Sequence, residues 1–242
     1  MSRPYEELAE IYDKIMHHVH YRRWAGYVER LFDYYNAPVS RLIDLSCGTG
    51  KHLRSLKAKN RSLIGVDISL PMLRVARRKR SLRRVPLVCA DFGASPFKKN
   101  SFDIVLILYD SINYIIDDKD IVRVFGEVKR LLKEDGLFIF DVVTPYACEE
   151  FFLDYTERDH FNGTECLRHS WYRKDEQMQY NEFEIIADGK VYHELHKQKI
   201  RENEQWKQII FKNNFELIEA FNNFTFIEAT QYSERIHFVC RA

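Results

Sequence analysis

Between residues 41 and 143 the sequence repeats one unit: an apolar run of strand length, a turn, then a stretch of helical period. The runs are RLIDLS (41–46), SLIGVDI (62–68), VPLVCAD (85–91), FDIVLILY (102–109) and LFIFDVV (137–143). The fourth is nearly all apolar, as a central strand buried on both faces must be. Helices are predicted from about Thr49 to Ala58, through MLRVARRKRSL behind a Ser69–Pro71 cap, and through DKDIVRVFGEVKRLLKEDG up to Gly136. Strands that alternate with helices in this way build a doubly wound parallel sheet covered on both faces.

The flanks read differently. Leu8, Ile11, Tyr12, Ile15 and Met16, then Trp24, Tyr27, Val28, Leu31 and Phe32, recur at three- and four-residue spacing, which predicts two N-terminal helices closed by Pro38. After Pro145 the segments ECLRHSWYRK, MQYNEFEIIA and KVYHELHKQKI are more polar and partly alternating. They predict antiparallel strands, with Asp188–Gly189 as a hairpin turn. A helix through ENEQWKQIIFKNNF and two strands, FELIEAF and SERIHFVCRA, complete the chain. The expected organisation is a core of residues 1–159 and 200–242, with residues 1–38 as helical cover and 160–199 as a β insertion.

At 242 residues the chain can bury a full core, and its net charge of +1 selects neither nucleic acid nor membrane. Its longest apolar run, IVLILY (104–109), is too short to span a bilayer, and MSRPYEELAEIYDKIMHH reads as helix rather than signal peptide. Five cysteines without a close pair suit reduced thiols in the cytoplasm, and no C-x-x-C exists for zinc.

The chemistry concentrates at RLIDLSCGTGKHL (41–53), where a strand runs into a turn with two glycines and out into a helix. A phosphate-binding P-loop needs different glycine spacing before its lysine. The dinucleotide fingerprint needs a third glycine where Leu53 stands. What remains is Asp44-x-Ser46-x-Gly48-x-Gly50, an acidic residue followed by small residues at alternate positions. Backbone amides at such a turn suit a carboxylate, and Asp44 can answer an ammonium group. Asp67 follows the glycines by about the spacing that places a carboxylate on a ribose.

These residues resemble the class I S-adenosylmethionine-dependent methyltransferases, whose first motif is D/E-x-G-x-G-x-G; here Ser46 replaces the first glycine. GVDIS (65–69), CADF (89–92), LYDSINYI (108–115) and LKEDGLFIFDVVTPY (132–146) match further family segments in order. The N-terminal YDKIMHHVHYRRWAGYVERLF and the late insertion are similar to a bacterial small-molecule subgroup, so the likeness spans the chain. It implies a Rossmann-like sheet with an antiparallel last strand and a lid made by the insertion. It implies Asp67 on the ribose hydroxyls with Ile68 beside it, and Asp91 and Phe92 at the adenine. Tyr12 and Trp24, on helices that cover the cofactor in relatives, complete the expected binding set with Asp44, Ser46, Gly48, Gly50 and Tyr109. The expected cofactor is S-adenosylmethionine, with S-adenosylhomocysteine as product.

The catalytic group is left open. Tyr109, Asp110 and Asn113 lie in the segment expected between cofactor and acceptor, and His20 is a candidate base. DSIN is not the N-P-P-Y motif of adenine or glutamine N-methyltransferases. HELH (193–196) is one residue short of H-E-x-x-H, MHHVH lacks a carboxylate cluster, and no metal is expected. The basic run RVARRKRSLRR (74–84) reads as a solvated helix face, although it keeps an RNA methyltransferase in view. The expected reaction is methyl transfer to an oxygen or nitrogen nucleophile of a small molecule by a monomer or homodimer. A protein or RNA methyltransferase and a noncatalytic cofactor-binding module are the alternatives.

Overall fold

A computed structural model describes residues 4–56, 60–161 and 163–242. Helices α1 (Ala9–Ile15) and α2 (Tyr21–Tyr34) open the chain, joined by a 3-10 turn. Their apolar stripes are buried: Leu8, Ile11, Ile15 and Met16 on the first, Trp24, Tyr27, Val28, Leu31 and Phe32 on the second.

The alternating region forms β1 (Arg41–Asp44), α3 (Lys51–Ser55), β2 (Ser62–Asp67), α4 (Leu70–Arg78), β3 (Leu87–Cys89), β4 (Phe102–Ile107), α5 (Asp118–Leu131) and β5 (Leu132–Val143). Ser69 caps α4 by accepting the Met72 N–H, with Pro71 in the first turn. The end of the helix expected to reach Ala58 lies outside the described residues. Two other helices stop short of the expected limits. Lys79 is extended and turns aside to pair with Asp13, so α4 ends at Arg78. Helix α5 ends at Leu131 rather than at Gly136, because Leu132 takes extended geometry and pairs beside Phe102 on β4.

Beyond β5 come α6 (Pro145–Phe151), β6 (Asp154–Phe161), β7 (Thr164–Arg173), β8 (Met178–Ala187), β9 (Lys190–Lys199), α7 (Asn203–Lys212), β10 (Glu216–Asn222) and β11 (Arg235–Arg241). Helix α6, capped by Thr144, and strand β6 were not legible in the sequence. β6 is an edge strand, DYTERDHF, mostly exposed, and its charged residues carry no apolar alternation. Asp188 (φ 49°) and Gly189 (φ 72°) make the predicted tight turn between β8 and β9.

Two sheets result. The larger has the order β10-β11-β5-β4-β1-β2-β3, with β1 to β5 parallel and β11 antiparallel to both its neighbours. One face packs on α2, α3 and α4, the other on α5 and α7. Every residue of β4 is buried. The insertion is a separate antiparallel sheet, β6-β7-β8-β9. Its inner face meets α1, where Leu8, Ile11 and Ile15 pack on Cys166, Phe183 and Ile185. The carboxyl ends of β1, β2 and β4 therefore lie beneath α1 and the inserted sheet, where an open α/β sheet binds its ligands.

Candidate active site

The turn after β1 is built by three local devices. Asp44 is fully buried, and its Oδ1 accepts the Ser46 N–H at 3.0 Å. Ser46 Oγ accepts the Leu108 N–H at 3.1 Å, tying the ends of β1 and β4 together. A glycine in that place would leave the Leu108 amide without this partner, which gives the departure from the family motif a physical role. Gly48 and Gly50 sit at φ +52° and +76°, the left-handed region where a Cβ is disfavoured. A Cβ on Gly50 would also lie 2.3 Å from Leu82 Cδ1.

Asp67, at the end of β2, accepts the Gly48 N–H at 2.7 Å and the Ser69 N–H at 2.8 Å. Burial pushes its carboxyl up to about 6 against those two bonds. Burial pushes Asp44 further, to about 7. The second oxygen of Asp44 is buried with no hydrogen-bond partner, and an amino-acid ammonium is a group that would satisfy it. Orphaned acceptor, left-handed glycine turn and strand-end carboxylate together fit a nucleoside with an amino-acid tail. Ile68 is exposed beside Asp67. Asp91 is held by the Gly93 N–H at 2.7 Å and by Arg123 at 2.9 Å; burial raises its pKa, but these partners outweigh it and hold the group below its usual range. Phe92 packs, partly buried, against the core.

At the end of β4 the chain makes two successive left-handed residues, Tyr109 (φ 61°) and Asp110 (φ 47°). Non-glycine residues held this way cost on the order of 1–3 kcal/mol each and persist only when the surroundings fix them. Asp141 on β5 does so: its carboxylate accepts the Tyr109 N–H at 2.7 Å and the Asp110 N–H at 3.0 Å. Arg235 on β11 pairs with Asp141 and, at 2.7 Å, with Asp110, and its guanidinium lies over the Trp24 and Tyr109 rings. Gln198 of the insertion donates to Asp110 at 2.7 Å.

Above this turn is a cavity of about 140 Å³, lined by Tyr109, Asp110 and Arg235 below and by Tyr12, Gln179 and His196 among the residues above. At about 30 Å³ per water, that is the room of about five water molecules. Its roof inverts the usual alternation. On β9 the buried residues are Glu194, His196 and Gln198, all polar. His196 bonds Tyr114 Oη at 2.8 Å through Nδ1 and Glu194 at 3.0 Å through Nε2, and Tyr114 meets Tyr5 Oη at 2.7 Å.

The sequence candidates are thus distributed. Tyr109, Asp110 and Tyr12 line the cavity. Trp24 is buried, edge-on to His52 and beneath Arg235. Asn113 is fully buried and donates to the Lys199 carbonyl at 3.2 Å, linking the turn to the insertion without lining the cavity. His20 is exposed ahead of α2, away from the cavity lining. Asp141, Arg235, Glu194 and His196 were missed. A carboxylate inside the apolar run LFIFDVV was a signal for the first, and the in-facing polar positions of HELHKQ for the last two; nothing local marks Arg235. Among the described residues no cluster of three His, Cys, Asp or Glu side chains could hold a metal.

Residues 42–136 match the family model described as a methyltransferase domain. A protein of Geobacillus sp. (strain WCH70), named "Putative methyltransferase", is 31% identical over 98% of this chain and 99% of its own. The chain belongs to the class I S-adenosylmethionine-dependent methyltransferases. The crystal structure of such a methyltransferase from Clostridium acetobutylicum superposes with a TM-score of 0.83, at 24% identity over 98% of both chains. The S-adenosylmethionine-bound CalS10 of Micromonospora echinaspora, an amino pentose methyltransferase, superposes at 0.71, with 17% identity over 92% of both. The family uses S-adenosylmethionine, and a methyltransferase needs a methyl acceptor; no helix among the described residues is long and apolar enough to cross a membrane.

Proposed function

We propose that this methyltransferase acts on an oxygen or nitrogen nucleophile of a small polar molecule seated in the cavity between the Tyr109–Asp110 turn and the inserted sheet. The observation that carries this reading is the lining of that half-open cavity by α1 and the polar inner face of β8 and β9. The inserted sheet, which begins with β6 at Asp154 rather than at the expected 160, then acts as the acceptor lid on a core of residues 1–153 and 200–242. The amino pentose specificity in the name of CalS10, which shares the architecture, supports a small polar acceptor.

The cofactor, when bound, supplies a methyl group on a sulfonium, electrophilic enough that alignment and water exclusion are the main work left to the protein. The Gly48–Gly50 turn would hold its carboxylate, Asp44 its ammonium and Asp67 its ribose. Ile68 would flank the adenine, with Asp91 and Phe92 beyond it. Tyr12 and Tyr109 would meet the reacting end. An RNA acceptor is the second reading: three of the seven basic side chains in the run 74–84 are engaged within the fold, while Arg74, Arg80, Arg83 and Arg84 are exposed. Arg77 donates to the Arg83 and Val85 carbonyls, Arg78 pairs with Glu10, and Lys79 pairs with Asp13.

Calorimetric titration with S-adenosylmethionine, S-adenosylhomocysteine, NADH and ATP tests the cofactor site. Selective micromolar binding of the first two is expected. Asp67→Ala should weaken them at least tenfold while circular dichroism stays unchanged; normal affinity in that variant rejects the ribose assignment.

A further inference from the structure

Resting on the reading of the cavity as the acceptor site, we infer that the inserted sheet supplies the proton-accepting group of the reaction, His196, acting through Tyr114 and Tyr5. Both ring nitrogens of His196 are engaged, so it reaches the cavity only through a hydroxyl. The tautomer follows from the partners. The Glu194 carboxylate accepts the N–H groups of Tyr5 at 2.7 Å and Leu8 at 2.8 Å, as an ionised carboxylate does, so Nε2 of His196 must donate to it. Nδ1 of the neutral ring is then an acceptor, and Tyr114 spends its only hydroxyl proton on it. Tyr5 must therefore donate to Tyr114, which leaves the Tyr5 oxygen as the end of the chain with a lone pair to spare, on a residue that lines the cavity together with Tyr114 and His196.

The proton balance is complete. As the acceptor's lone pair takes the methyl group, the carbon–sulfur bonding pair departs with the thioether. The acceptor's proton moves to Tyr5 Oη, that of Tyr5 to Tyr114, and that of Tyr114 to Nδ1. The ring ends as an imidazolium against the Glu194 carboxylate. Tyr5 touches the acceptor; Tyr114 and His196 act behind it. The groups facing the ring are Tyr5 from the N-terminal segment, Tyr114 from the turn after β4, Glu194 from β9 and the uncharged Phe183 ring from β8. Asp110, Arg235 and Arg168 are further charges around the same cavity.

The relay also depends on the cover. Tyr5 belongs to the segment that Glu194 pins through backbone N–H groups, and its carbonyl accepts from Ser69 beside Asp67 at 3.0 Å. Docking the N-terminal segment over the cofactor cleft and completing the proton relay are thus one event.

Two arms test this on the full-length protein. In the first, 15N-histidine NMR should show His196 as the Nε2–H tautomer, with an Nδ1 resonance that moves in Tyr114→Phe. An Nδ1–H tautomer, or a resonance indifferent to Tyr114→Phe, overturns the relay whatever the protein methylates. In the second, S-adenosylhomocysteine formation is followed with glucosamine, ethanolamine and catechol as acceptors. For a compound turned over, Tyr5→Phe and His196→Gln should each lower kcat at least tenfold. His196→Gln should also abolish the acid limb of the kcat–pH profile, while S-adenosylmethionine affinity stays within twofold. Unchanged kcat and an unchanged limb in both variants overturn the proposal. Absence of cofactor binding in the wild type counts against the methyl-transfer reading, and the NMR arm still decides the relay.

Discussion

Asp44 shows how much one side chain can be asked to do. Burial raises its carboxyl from the ordinary 3.8 to about 7, and only one of its two oxygens has a partner. The folded value is the higher, so the neutral acid contributes its stability in full below about pH 4, and that contribution is lost as pH rises through 7. Asp67, raised to about 6, adds to the same trend. The ligand-free protein should therefore lose thermal stability between about pH 4 and 7. Each pH unit in that interval is worth at most about 1.4 kcal/mol per group, or roughly 3–5 °C at this chain length. Asp44→Asn, which keeps an acceptor for Ser46, should flatten that loss and be the more stable protein at pH 8, while binding S-adenosylmethionine at least tenfold more weakly. Calorimetry across pH checks both. The stabilisation conferred by the cofactor should be larger at pH 8 than at pH 5.5, because an ammonium group pairs with the ionised form. Asp44, Asp67 and the two glycines were legible in the sequence because turn chemistry and motif spacing are local.

Among the elements, the turn after β4 is the one whose geometry depends most on others. Tyr109 and Asp110 are held left-handed by Asp141, Asp141 is neutralised by Arg235, and Gln198 reaches Asp110 from the insertion. Removing one partner of a buried ion pair typically costs about 3–5 kcal/mol, because the other charge stays buried. Asp141→Ala should lose that much in urea unfolding and should release Tyr109 from its place beside Trp24. Unfolding within about 1 kcal/mol of the wild type would mean that the turn is fixed by other contacts. The inserted sheet shows the converse of ordinary patterning. β8 is apolar toward α1, at Phe183 and Ile185, and polar nearer the strand ends, at Gln179 and Asn181. Strand-length reading found β7, β8 and β9 but not β6, because an exposed edge strand has no apolar face to betray it.

Across the whole molecule, the N-terminal segment is the joint between the two sheets. Asp13 accepts from Thr49 at 2.5 Å in the glycine turn and pairs with Lys79 at 2.6 Å, while Glu194 holds the backbone at Tyr5 and Leu8. These polar anchors flank the apolar contact of Leu8, Ile11 and Ile15 with Cys166, Phe183 and Ile185, so opening the cover must give up that small cluster as well. Hydrogen exchange should show residues 5–18 and 193–198 gaining protection together when S-adenosylmethionine binds. Asp13→Ala should speed cofactor dissociation about three- to tenfold with little change in melting temperature. Protection confined to the glycine turn would show that the cover is permanently closed or uninvolved.

The sequence by itself determined the parallel sheet, the glycine turn and the strand-end carboxylates, because each follows from periodicity or from chemistry within a few neighbouring residues. Only the tertiary structure decided which polar groups meet. Asp141 and Arg235 are 94 residues apart, and Tyr114 and His196 are 82 apart. No local pattern encodes such a meeting, since it depends on how the inserted sheet and α1 settle over the ends of the strands. The cavity, its left-handed turn and its polar roof arise there, where burial turns scattered charges into paired ones.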